Sequence, residues 1–110
     1  MLPKVNRLTK KKDFETVFKN GKSVKSDFLI FRIVKNHLQE NRFGFVVSKK
    51  VSPRAVVRNR VKRRLRKAAY NTLQGIKGPV DVVVITLPGI EKKKYTDIET
   101  MLAAAFRKYT

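Results

Sequence analysis

The chain has no cysteine and no tryptophan, a single histidine and only eight acids in 110 residues. Without cysteine there is no disulfide, no thiolate metal site and no thiol nucleophile, which fits a reducing compartment. One histidine excludes a pair of imidazoles working as acid and base. The carboxylates Asp13, Glu15, Asp27, Glu40, Asp81, Glu91, Asp97 and Glu99 are scattered, whereas a metal-dependent nuclease needs them clustered. They read mostly as capping or surface groups. His37 lies in the polar turn 36 to 41 and reads as a solvated loop residue. No Walker loop, glycine-rich dinucleotide fingerprint or zinc-ligand spacing is present. No apolar run approaches the roughly 20 residues needed to span a bilayer, and no continuous apolar stretch follows Met1, so the expectation is a cytoplasmic protein without a secretory signal.

What is abundant is positive charge. Lys and Arg number 27, for a formal net charge of +19, while 42% of residues are hydrophobic. That much apolar material argues against a wholly disordered basic chain, and the length argues for one domain with a core of modest size, residues 1 to 9 being loosely held. The charge favours nucleic acid as a partner first and an anionic membrane second.

The charge concentrates in residues 49 to 67, KKVSPRAVVRNRVKRRLRK, which hold ten basic side chains, and no acid occurs between Glu40 and Asp81. Periodicity shows that this is an amphipathic helix rather than a tail. Ser52 and Pro53 read as N-cap and first helical residue. At about 100° per residue, Val57, Val61, Leu65, Ala68, Thr72 and Leu73 share one side, and Asn59, Arg60, Arg63, Arg66 and Lys67 the other. Arg58 and Lys62 lie along one border and Arg64 along the opposite one, while Gly75, Gly78 and Pro79 stop the helix. A solvated helix face normally mixes signs. This one repels itself, by a few tenths of a kcal/mol per like-charged pair, and so calls for an anionic partner. Its apolar side carries small Val and Ala rather than Trp or Phe, which makes a membrane the weaker candidate.

Elsewhere, Phe14, Val17 and Phe18 recur at helical spacing between Lys10 and Lys19, in a helix begun near Thr9 and stopped at Asn20-Gly21. The two phenylalanines read either as a core-facing stripe or as rings for stacking on unpaired bases. Residues 27 to 35 form a strand apolar on both faces, and residues 42 to 48 a second strand that pairs with it as a hairpin. VDVVVITL, from Val80 to Leu87, is a central strand parallel to 42 to 48. Thr96 and Glu99 read as a capping box for a last helix with Ile98, Met101, Leu102, Ala105, Phe106 and Tyr109 inward.

Three blocks in order, RLTKKKDFETVFKNG, RFGFVVSKKVSPRAVVRNRVKRRLRKA and VDVVVITLP, resemble the protein subunit of bacterial ribonuclease P. The most specific parts are Arg58-Asn59-Arg60 followed by Lys62-Arg63, and Phe14 with Phe18-Lys19 and Gly21. The resemblance implies an α+β fold of the α/β-sandwich kind: a small mixed sheet, three helices, a left-handed strand-helix-strand crossover and a likeness to a ribosomal protein's second domain. The general rule for crossovers would give the opposite hand.

It further implies a monomeric subunit, itself without a catalytic centre, that joins a catalytic RNA to remove the 5′ leader of precursor tRNA. The protein alone would bind no cofactor, the Mg2+ belonging with the RNA. By position, Phe14, Phe18 and Phe31 would meet the leader, the family more often having Tyr at the last. Lys49, Lys50, Arg54, Arg58, Asn59, Arg60, Lys62, Arg63, Arg66 and Lys67 would face the catalytic RNA and phosphates near the cleavage site. With the resemblance in view, Phe14 and Phe18 are expected at the floor of a cleft. The alternative is a ribosomal protein or general RNA chaperone; an independent nuclease lacks the clustered acids it would need.

Overall fold

The computed structural model describes residues 3 to 72 and 78 to 109. Leu73 and Gly75, assigned above to the basic helix and its stop, lie outside the described residues, as does the side chain of Tyr109. The helices are α1 (Lys11–Asn20), α2 (Ala55–Thr72) and α3 (Tyr95–Tyr109); the strands are β1 (Lys22–Ser26), β2 (Leu29–Lys35), β3 (Arg42–Val46) and β4 (Val80–Thr86). They form one mixed sheet in the order β1-β2-β4-β3.

Strand β4 sits inside the sheet because it is apolar on both faces. Only Asp81 and Thr86 interrupt its aliphatic run, and every residue of it but Ile85 is buried. It pairs antiparallel with β2 and, as expected, parallel with β3, so that Val84 faces Phe31 on one side and Phe45 on the other. The expected hairpin between residues 27 to 35 and 42 to 48 is therefore absent. The chain after β2 skips a place in the sheet, which β4 later fills. Burying the most apolar strand on both edges outweighs joining two sequence neighbours.

The partner that β2 does take in a hairpin is β1, which was not foreseen. Its sequence, KSVKS, has one apolar residue, because it is a solvated edge strand whose lysines discourage further pairing. Asp27, at φ 34°, turns the chain between the two strands, so the second begins at Leu29.

Alternation divides the core in two. Leu29, Phe31 and Ile33 of β2, Val80, Val82 and Val84 of β4 and Phe43 of β3 pack with Val61, Leu65 and Ala68 of α2 and with Ile98, Leu102 and Ala105 of α3. On the opposite face, Val83 packs with Val17 of α1 and with Leu8. The result is the expected sandwich, with α2 and α3 on one side of the sheet and α1 on the other.

Several local expectations are corrected. Helix α2 starts at Ala55, its first bond running from Arg58 N–H to the Arg54 carbonyl. Ser52 Oγ instead accepts from Arg54 N–H at 3.2 Å, tightening the turn that precedes the helix. At α3 the carboxylate that reaches back belongs to Asp97, accepting from Lys94 N–H at 3.3 Å, while Glu99 accepts from the Tyr95 hydroxyl. A reach-back spans three residues, and the helix begins one residue before Thr96.

Gly21 ends α1 without a left-handed conformation, at φ −75°. It is needed for space, since a Cβ there would lie 2.4 Å from the Val17 carbonyl oxygen. Nor are all of the first nine residues loose. Leu8 is 3% exposed and its N–H donates to the Phe43 carbonyl at 2.9 Å, with Arg7 bridged alongside β3 and Asn6 Nδ2 donating to the Asn41 carbonyl. Leu8 also lies beside Gly44, its Cβ 3.3 Å from where a Cβ on the glycine would stand.

Candidate nucleic-acid interface

Helix α2 presents an unneutralised cationic surface. Arg54, Asn59, Arg60, Arg63 and Lys67 are exposed, as are Lys49 and Lys50 in the turn before it, while Arg58, Lys62, Arg64 and Arg66 are half-buried. Among the described residues no acid pairs with any of them. The bonds they do make orient the charge without cancelling it: Arg58 Nη1 donates to the Ser52 carbonyl at 2.9 Å and Arg64 Nη1 to the Lys93 carbonyl at 3.1 Å. Lys67 Nζ lies 5.2 Å from the centroid of the Tyr95 ring, a cation–π contact. The first turn of α2 carries no acid, so the positive end of the helix dipole adds to the same field.

The long stems of Lys62 and Arg66, one turn apart, reach from α2 to the edge strand β3. There they line a groove with Arg7, Leu8, Thr9, Phe14, Phe43, Gly44 and Phe45, enclosing a cavity of about 100 Å³. Arg66 thus faces the groove rather than the outer side of the helix. Its floor depends on Gly44, for a Cβ at that position would lie 2.5 Å from Cζ of Phe14. The glycine lets the tip of an aromatic ring approach the strand closely. A glycine inside a strand marks such a close approach, and this signal was available in the sequence.

The leader-contact residues divide. Phe14 is half-buried in the groove and Phe18, one turn along α1, is 41% exposed. Phe31 is fully buried. It alternates with Ile30 and Arg32 and so points to the α2/α3 side of the sheet, and its assignment to the leader is corrected. Ile30, Ile85 and Val46 do share the α1 side, adjacent in register and half-buried.

One acid-base cluster anchors this side. Arg42 donates to Asp81 through Nε (2.8 Å to Oδ1) and Nη2 (2.7 Å to Oδ2), and through Nη1 to Asp13 Oδ2 of α1 at 3.1 Å. Asn36 Nδ2 adds a bond to Asp81 Oδ1 at 2.8 Å. The Arg42 pKa is raised above its ordinary value, chiefly by its hydrogen bonds to Asp81, whose effect outweighs the lowering by burial; the charges of Asp81 and Asp13 act in the same sense. Asp81, only 5% exposed, is therefore a structural partner and not the surface group expected. At the other end of α1, Arg32 Nη2 donates to the Phe18 carbonyl at 2.5 Å, where a cation complements the helix dipole. Among the described residues no three His, Cys, Asp or Glu side chains gather as a metal site, and no helix is long and apolar enough to cross a membrane.

The family model described as Ribonuclease P matches residues 2 to 110. The ribonuclease P protein component of Alkaliphilus metalliredigens is 44% identical over 104 residues, covering 94% of this chain and 92% of the relative. That of Syntrophomonas wolfei is 38% identical over 109 residues, covering 98% and 90%. Among solved structures, the RNase P protein of Staphylococcus aureus matches with a TM-score of 0.86 at 26% identity, covering 96% of this chain and 95% of that one. The Thermotoga maritima protein matches with a TM-score of 0.82 at 26% identity, covering 93% and 96%. With the family model matched over nearly the whole chain, and with sequence and fold similar to proteins of one kind over nearly their full length, the chain belongs to the bacterial ribonuclease P protein family.

Proposed function

We propose that the protein joins a catalytic RNA to form ribonuclease P and promotes endonucleolytic removal of the 5′ leader from precursor tRNA. The observation that carries this reading is the seating of Phe14 on Gly44 in a groove walled by Lys62 and Arg66, beside a helix face whose charge no acid among the described residues cancels. An aromatic floor with a cationic wall suits single-stranded RNA. Bases stack on rings at roughly 1 to 3 kcal/mol each, whatever their identity, while cations follow the phosphates. The groove takes the leader through Phe14 and Phe18, with Ile30, Val46 and Ile85 in place of Phe31 as its apolar floor.

The outer face of α2, with Lys49, Lys50, Arg54, Arg58, Asn59, Arg60, Arg63 and Lys67, meets the catalytic RNA. Its arginines offer planar two-point contact to phosphates. The polypeptide contributes position and electrostatics. Holding leader and RNA together turns binding energy into orientation of the scissile phosphodiester. Hydrolysis and its Mg2+ belong to the RNA, a reading supported by the chain's own donor set, since Asp13 and Asp81 are both occupied by Arg42.

Reconstitution with a bacterial ribonuclease P RNA at low magnesium tests this. Cleavage of precursor tRNA should rise on adding the protein, and precursor should bind the complex more tightly than mature tRNA. No gain in cleavage sinks the proposal. A gain without preference for the leader points instead to a general RNA chaperone.

A further inference from the structure

Two neighbouring residues of α1 are received by two same-face residues of β3. Asp13 bonds to Arg42 and Phe14 lies against Gly44. Arg42 and Gly44, being two apart on a strand, project to the same side. Arg42 is held in turn by its paired bonds to Asp81 of β4, which Asn36 also holds. A continuous polar chain thus runs from the central strand to the helix that carries the groove's aromatic rings.

That helix needs such a restraint. It has ten residues, only Val17 among them is fully buried, and a helix that short does not persist by itself. At about 100° per residue, Val17 lies between Asp13 on one flank and Phe14 and Phe18 on the other. Phe14 packs on one side of that central line and the Arg32 bond to the Phe18 carbonyl holds the far end, so on the other flank it is the bond to Asp13 that opposes a roll. The Asp13 side chain is 27% exposed where that of Asp81 is 7%, so the outer arm adds little to global stability. Its effect falls on orientation.

We infer that Arg42 is a positioning residue for the groove: acting through Asp13, it sets the roll of α1 and thereby the seat of Phe14. The inference rests on the leader-binding reading above.

The test uses the reconstituted holoenzyme and the ratio of its affinities for precursor and mature tRNA. Asp13→Asn should reduce that ratio about three- to tenfold, within the range of coupling between contacting residues, and Asp13→Glu, which keeps the charge, should recover most of it. In a Phe14→Ala background Asp13→Asn should have no further effect on the ratio, a result that a merely structural role would not produce. The inference is overturned if Asp13→Asn keeps the full ratio, or if the loss is equally large with and without Phe14. Should the unsubstituted holoenzyme show no preference for precursor, the leader reading itself fails.

Discussion

The Phe14 ring occupies the space that any side chain on Gly44 would need, with Cζ 2.5 Å and Cε1 2.7 Å from where a Cβ would be placed. What must give way is the end of a movable side chain, not backbone. Gly44→Val should therefore push Phe14 out of the groove. Overpacking of this kind costs about 1 to 3 kcal/mol, and discrimination between precursor and mature tRNA should fall with it. Denaturant unfolding and tRNA binding by the reconstituted complex report the two effects, and an unchanged discrimination would remove Phe14 from the leader path.

Phe18 and Phe31 should behave as opposites. Phe18 is 41% exposed and Phe31 is fully buried. Phe18→Ala is expected to leave unfolding nearly unchanged while losing roughly 1 to 3 kcal/mol of leader binding through stacking. Phe31→Ala should cost about 3 to 5 kcal/mol of stability, with no loss specific to the leader in whatever fraction stays folded. Paired unfolding curves and leader-dependent affinities decide, and reversed roles would contradict the placement of the groove.

Salt should dissolve the complex steeply. If about six phosphates are neutralised, the logarithm of the RNA affinity should fall against the logarithm of salt with a slope on the order of −4 to −5. Arg60→Ala combined with Arg63→Ala should weaken assembly and flatten the slope by about one unit per arginine. A filter-binding salt titration measures this. A slope that the double substitution leaves unaltered would place the RNA on another surface.

Alkali should act through Tyr95. Its hydroxyl joins α2 to α3, accepting from Asn71 Nδ2 at 3.0 Å and donating to Glu99 Oε2 at 2.9 Å. Its pKa is raised from the ordinary 10.0 by burial first and by the bond to Glu99 second, against an opposing effect of Asn71. The folded state keeps this proton after the unfolded chain has lost it. The associated stability is therefore intact below about pH 10 and declines as pH climbs toward the folded value. Tyr95→Phe should lose about 1 kcal/mol at neutral pH and show a shallower alkaline decline in thermal unfolding. An equally steep decline would assign the effect to other groups.

The parts of the interface legible in the sequence are those carried on one helix. Of the seven predicted RNA-facing side chains that periodicity placed on the helix, Asn59, Arg60, Arg63 and Lys67 are exposed and Arg58 and Lys62 are half-buried at its border, because a helix face is set largely by residue spacing. Arg66, placed on the outer side, turns to the groove. For Phe14 and Phe18 spacing leaves the core and stacking readings both open; the structure separates the two rings only by burial, the first half-buried against Gly44 and the second exposed. Phe31 was misplaced because β2 is apolar on both faces. Alternation separates Phe31 from Ile30, but it does not say which of the two sides a helix will cover.

The long-range pairs were out of reach for a related reason. Asp13 and Asp81 are separated by 29 and 39 positions from Arg42, which joins them, and Lys62 and Arg66 meet Phe14 only across the edge of β3. The chain by itself determined the helices, the buried character of β4 and an excess of positive charge that needs a polyanion, since each follows from the composition and spacing of a local segment. Only the tertiary structure decided that β4 would part β2 from β3, which face of each strand would be covered, and that an aromatic ring and two cations from distant segments would share one groove. Those outcomes depend on the competition of whole surfaces for burial, and no single segment contains the terms of that competition.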